Sequence, residues 1–156
     1  MANSQGMCST FKKELLCGSH AFGAQAANGV RTVTTKDTFY AALFLASASR
    51  TVADTTYDTT GELAGTGNYT QGGIAVTNAS APTNTGTTAW WNPSASLQWV
   101  NLTSSGSFDA VLIYNYTSTS KLAVSVHTFG AQSIVSSTFT LTMPAADSSN
   151  ALLRIA

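Results

Sequence analysis

The rhythm of hydrophobic and polar positions changes along the chain. Between Met7 and Leu16 the apolar residues are Met7, Cys8, Phe11, Leu15 and Leu16. That spacing places them on one face of a helix. Ser9 or Thr10 is positioned to cap its start, and Gly18 to stop it. At about three turns such a helix is marginal alone, so its apolar face must dock on its own sheet or on a partner. Residues 1–6 are small and polar, and predict disorder or an extended arm.

Beyond Gly29 the period becomes strand-like. Val30 to Thr35 is β-branched, and the run from Thr38 to Ala46 is apolar on both parities, which fits a strand buried on both faces or a buried helix segment. Its length and β-branched flank favour strand. A glycine-rich stretch from Ala53 to Gly73 follows. It is too long for a hairpin turn and too polar for core, and loops of that length are usually functional or mobile. Further strands are predicted at Ile74–Thr77, Thr87–Trp91, Leu97–Leu102, Phe108–Tyr116, Lys121–Phe129, Ile134–Met143 and Ala151–Ile155, with a pause through residues 78–86. Leu122, Val124 and Val126 alternate with Ala123, Ser125 and His127. Phe139, Leu141 and Met143 alternate with Thr138, Thr140 and Thr142. The polar TSTS before Lys121 reads as a hairpin turn. Roughly eight short strands with period-2 patterning predict a mainly β chain, an antiparallel sandwich or jelly-roll-like barrel. The expected organisation is an N-terminal arm with its short helix over residues 1–28 and one β domain over 29–156. No repeat or linker divides it.

Composition changes the picture through charge. At 156 residues the chain can bury a core without disulfide or metal. Only 9% of residues are charged and the formal net charge is zero, whereas a typical soluble domain carries about 25% charged residues. Serine and threonine take their place. Such a surface is wettable yet lacks the repulsion that keeps proteins apart, and it can lie against another protein with little desolvation of charge. A merely Thr-rich β protein would share this composition. Nucleic-acid binding is not expected: Lys12 and Lys13 are the one adjacent basic pair, and Arg31, Lys36, Arg50, Lys121 and Arg154 are scattered. No run reaches the roughly 18 apolar residues of a membrane helix. No basic stretch leads into an apolar core at the start, so no secretory signal is expected. On a helix Cys8 and Cys17 would stand about 13.5 Å apart along the axis, too far for a disulfide. Both are expected to be small buried residues in a reducing compartment.

Chemistry has few places to hide. His127, with Asp109 to orient it and a nearby hydroxyl, could be imagined as a triad, but no GxSxG elbow accompanies it. His20 follows the helix stop. Asp54, Asp58 and Glu62 recur at four-residue spacing in the long loop; paired carboxylates can hydrolyse glycosides or bind calcium, but the pattern does not match an EF-hand loop, and a solvated loop is the favoured reading. Gly65, Gly67, Gly72 and Gly73 make no phosphate loop. Trp90 and Trp91 are adjacent, so a strand sends them to opposite faces. With Trp99, Tyr114 and Tyr116 they are core aromatics, interface anchors or a sugar-stacking platform. Asn68, Asn78, Asn101 and Asn115 begin N-x-[ST] tripeptides, by-products of a Thr-rich chain. No catalytic residue, cofactor or metal is expected.

Several segments together carry a resemblance. The opening MCSTFKKELLCGSHAFG, then DTFYAALFLASAS, then TTYDTTGELAGTGNYTQGGIAV, resembles a group of small structural proteins of tailed bacteriophages. Glu62, Gly65, Gly67, Tyr69, Gly72 and Gly73 match that group's E-x-x-GTGYT-x-GG motif, with Asn68 as an extra residue. DAVLIYN and LAVSVHTFG resemble two of its strands, although His127 and Thr128 stand where an acidic residue is common. FTLTMPAADSSNALLRIA resembles its closing strands. The resemblance implies a virion component similar to head decoration (cement) proteins, assembled in the host bacterial cytoplasm. Such proteins contact the major capsid protein between capsomers, often as trimers. Phe11, Leu15 and Leu16 on the helix, Tyr69 in the loop and Trp90 and Trp91 are the candidate interface side chains. Another virion part (tail, fibre or head-completion protein) or a carbohydrate-binding module using Trp90, Trp91 and Tyr116 are the alternatives.

Overall fold

The structure is a computed structural model that describes residues 2–23, 35–77 and 81–156. The predicted β-branched strand at Val30–Thr35 lies, but for Thr35, outside the described residues. The chain is mainly β, with antiparallel sheets and one short helix. In order the elements are β1 (Gly6–Met7), α1 (Ser9–Leu16), β2 (Phe39–Leu45), β3 (Ile74–Ala75), β4 (Thr83–Thr85), β5 (Thr88–Trp91), β6 (Leu97–Leu102), β7 (Phe108–Asn115), β8 (Ala123–Gln132), β9 (Ser137–Leu141) and β10 (Leu153–Ile155). Five strands form one sheet in the order β1-β8-β7-β2-β3; β10-β5-β4 form a second and β6-β9 a third.

The run that is apolar on both parities is the middle of the large sheet. Strands β2 and β7 pair antiparallel from Phe39↔Asn115 to Leu43↔Val111 and are buried along nearly their whole length. A strand reads this way only when both of its faces are covered. One face carries Phe39, whose ring stacks on Phe22 at 4.3 Å between centroids. Phe22 in turn meets Phe11 of α1 and Trp91 of β5 edge-on. Helix and small sheet therefore cover this side. The opposite face carries Tyr40, Ala42 and Phe44, and the long glycine-rich segment crosses it. Tyr57 stacks on Tyr114 at 4.4 Å, and Arg50 lies over the Phe44 ring. The β6–β9 ribbon joins the core through Phe139, perpendicular to Phe108. Phe139 is buried while Thr138 and Thr140 are exposed, as their alternation predicts.

Four expectations change. The first residues are not a loose arm. Gly6 and Met7 pair with Val126 and Ser125, Ser4 and Ser9 donate their amides to the Arg50 and Val52 carbonyls, and Asn3 bridges the Leu45 carbonyl and Asp109. The stretch from Ala53 to Gly73 has almost no regular strand, yet Glu62, Leu63 and Tyr69 within it are buried. Polar backbone enters a core when its groups are paired there, and Leu63 and Leu45 take up such pairs with Leu43 and Gly61. On β8 the register shifts opposite Ile113/Tyr114, which interrupts the simple alternation, and Ala123 to Val126 are all buried. The helix begins after Cys8, which caps it without a side-chain bond, so neither Ser9 nor Thr10 is the cap. Gly18 stops the helix as expected, in the left-handed region at φ +69°.

Candidate functional site

Four of the six candidate interface residues come together. Phe11 and Leu15 of α1 face Trp90 and Trp91 of β5 across a groove completed by Met7, Phe22, Pro82, Ala89, Leu153 and Ile155. Its lining is wholly apolar, and its free volume of about 90 Å³ has room for one inserted side chain. Phe11 and Trp91 are almost fully buried and form its floor; Leu15 and Trp90 are half-buried. Ile155 on its lining is 50% exposed, and Leu16, the last helical residue, is 92% exposed. Among the described residues no side chain covers Leu16, a large apolar residue left in water at a cost of roughly 1.5–3 kcal/mol relative to burial.

What holds the helix against the sheet is partly polar. Behind Phe11, His20 is enclosed, with Glu14 on Nε2 at 2.9 Å and Asn115 on Nδ1 at 3.1 Å. The Asn115 amide nitrogen also donates to Asp37 at 2.7 Å, while its oxygen accepts from the Ser118 amide. That assignment fixes the imidazole proton on Nε2, donated to Glu14. A helix of eight residues is thus tied to β7 and to the approach to β2.

Tyr69 belongs elsewhere. It is 4% exposed, on the opposite face of the large sheet, and its hydroxyl donates to Glu62 at 2.7 Å while accepting the Leu43 amide. Glu62 also accepts from the Tyr57 hydroxyl at 2.6 Å and the Gly72 amide at 2.7 Å. Burial, then the Glu62 carboxylate, pushes the Tyr57 and Tyr69 phenols above their ordinary range. Tyr114 closes the cluster by donating to the Gly72 carbonyl. Glu62, Tyr69, Gly72 and Gly73 of the loop motif are therefore internal scaffolding, whereas Gly65 and Gly67 are exposed. Gly73 shows why glycine is needed: its φ is +74°, and a Cβ there would stand 1.8 Å from the Ala41 carbonyl oxygen.

The other acids of that segment part company. Asp58 forms a two-pronged pair with Arg50 at 2.9 and 3.0 Å, which with the Thr60 bonds holds its carboxyl down at about 2. Asp54 lies 3.8 Å from the same guanidinium. The solvated-loop reading thus fails for Glu62, which is buried. Among the described residues no group of three His, Cys, Asp or Glu could hold a metal.

His127 does meet a hydroxyl: its Nε2 is 2.9 Å from Ser125 Oγ. Ser125 is buried, although with His127 it lines a cleft of about 480 Å³ between β1 and the C-terminal segment, and Asp109 is engaged with Asn3 instead of orienting the imidazole. Burial lowers the His127 pKa to about 4, leaving it neutral near pH 7. Trp90, Trp91 and Tyr116 do not form one platform. Trp91 is core, and the Tyr116 ring is stacked on Tyr40 at 4.2 Å with the Lys121 ammonium over it at 3.7 Å. Cys8 is buried, its thiol pushed up to about 12 mainly by desolvation, whereas Cys17 is exposed, contrary to expectation; both are free. No helix among the described residues is long and apolar enough to cross a membrane.

The groove could not have been located from sequence, because β10 supplies Leu153 and Ile155 from the far end of the chain. No family model, curated protein or solved structure matches this chain.

Proposed function

We propose that this protein is a head decoration (cement) protein of a tailed bacteriophage, seated between capsomers of the major capsid protein. The observation that carries the reading is the apolar groove between α1 and the three-stranded sheet, with Leu16 and Ile155 exposed. It gives a rigid domain a place to accept an apolar side chain from the shell, and a helix end to offer one. The low charge supports the same reading, since little charge must be desolvated on docking. A trimer would present three such grooves together, so weak contacts would reinforce one another through effective concentration.

Deletion of the first 18 residues is a poor test, because it would remove a strand and a docked helix from the fold. Substituting Leu16 with Asp is better, since Leu16 makes little contact with its own domain. Leu16→Asp should retain the wild-type melting temperature and lose attachment to heads stripped of the protein, scored by co-sedimentation. Undiminished attachment of Leu16→Asp together with Ile155→Asp would overturn the placement of the docking surface.

A further inference from the structure

The side of Trp90 turned from the apolar groove opens on a second cleft of different chemistry. It has a volume of about 550 Å³, within the range of small-molecule sites. Trp90 is its aromatic wall, and Thr83, Ser94 and Ser96 bring hydroxyls to it. Among the described residues, no charged side chain lines it.

The cleft is built rather than left over. Asn92 beneath it is 7% exposed; its amide nitrogen donates to the Pro144 carbonyl at 3.0 Å and the Pro93 carbonyl at 3.3 Å, and its oxygen accepts the Leu152 amide at 2.9 Å. One buried side chain therefore ties the two walls at Pro93 and Pro144 to each other and to the approach to β10 at Leu152. Trp90 sits on the central strand of its sheet, between Thr83 on β4 and Arg154 on β10. Its indole N–H donates to Thr85 Oγ1 at 3.4 Å, which restrains the ring. Ser96 Oγ accepts the Met143 amide, so its proton can turn toward the cleft. Ser94 Oγ donates to the Thr77 carbonyl, so its lone pairs remain for a donor.

We infer that the cleft beside Trp90 binds a neutral pyranose of a glycan. A sugar ring has an apolar C–H face that stacks on an indole, and an equator of hydroxyls that exchange hydrogen bonds with serine and threonine. A hydroxyl-rimmed cleft against one half-exposed tryptophan matches both needs. The inference goes beyond the decoration reading and does not rest on it. On a virion it would give the particle a weak affinity for surface glycans, multiplied by copy number.

The test uses the isolated chain, without heads, so its outcome is independent of shell attachment. The ¹⁵N-labelled protein would be titrated with the methyl glycosides of glucose, galactose, mannose and N-acetylglucosamine, then with maltose and cellobiose. At least one should give saturable shifts centred on the Trp90 indole N–H and the amides of residues 94–96. Trp90→Ala should weaken that binding by about tenfold or more, as loss of an aromatic anchor does. Because Trp90 also borders the core, Ala95→Glu serves as the second variant. Residue 95 is exposed on the cleft lining, so the substitution blocks the cleft without touching the core and should abolish the shifts. Absence of saturable shifts with all six sugars, shifts centred elsewhere, or full binding by Ala95→Glu would each overturn the inference.

Discussion

Replacing Glu62 with Ala should be among the most damaging single changes outside the apolar core. The carboxylate accepts three hydrogen bonds at 2.6–2.7 Å, and no ion pair to it is formed among the described residues. In Glu62→Ala the Tyr69 hydroxyl proton and the Gly72 N–H lose their acceptor in a buried setting, at about 1–2 kcal/mol each. Tyr57 is only half-buried and recovers water, so it adds little. Loss of the packed methylenes adds about 1 kcal/mol. The sum is about 3–5 kcal/mol. For a chain of this length each kcal/mol shifts the melting temperature by about 2–4 °C, so the fall should be roughly 10 °C. Glu62→Gln keeps one acceptor oxygen for Tyr69 and Gly72 and turns an amide toward Tyr57, whose hydroxyl can rotate to accept. Its cost should be about 1–2 kcal/mol. Urea unfolding followed by tryptophan fluorescence measures both. Glu62→Ala within about 1 kcal/mol of wild type, or Glu62→Gln more stable than wild type, would refute the claim that this carboxylate organises the loop.

Other predictions follow from separate features. Gly73→Ala should fail to give a folded domain or lose more than about 3 kcal/mol, because both the positive φ and the Ala41 carbonyl oppose a Cβ; a circular dichroism melt checks this. In native protein one thiol, Cys17, should react with an alkylating reagent and Cys8 should not, with both reacting in denaturant; peptide mapping reads the sites. The pKa of His127 is depressed by burial, so the unfolded chain binds its proton first. Stability should be full above about pH 6.5 and fall as pH drops toward 4, by up to about 3 kcal/mol, and His127→Gln should flatten that part of the pH profile.

The parts of the fold that could be read in the sequence are those with long, consistent patterns. Phe39–Leu45 and Phe108–Asn115 are apolar on both parities because each has a covered sheet face on either side. Leu97–Leu102 emerges with the predicted bounds. Strands of two or three residues, such as Gly6–Met7 and Thr83–Thr85, carry no periodicity to read; long-range pairing alone makes them strands. The loop over the tyrosine face was misjudged for a related reason. Polarity signals solvent unless the partner of each polar group is known, and the donors to Glu62 become its neighbours only in three dimensions. The same holds at the surface. Phe11, Leu15, Trp90 and Trp91 could be named as anchors, but their meeting depends on a C-terminal strand pairing back onto Ala89–Trp91. Tyr69 shares their chemistry and is spent inside the fold.

The most direct test of the proposed role is the copy number of this chain in purified virions, measured by quantitative mass spectrometry against the major capsid protein. A ratio near one copy per capsid subunit is the predicted result, as expected of a protein spread over the whole shell. A ratio of a few per hundred, or absence from the particle, would contradict it.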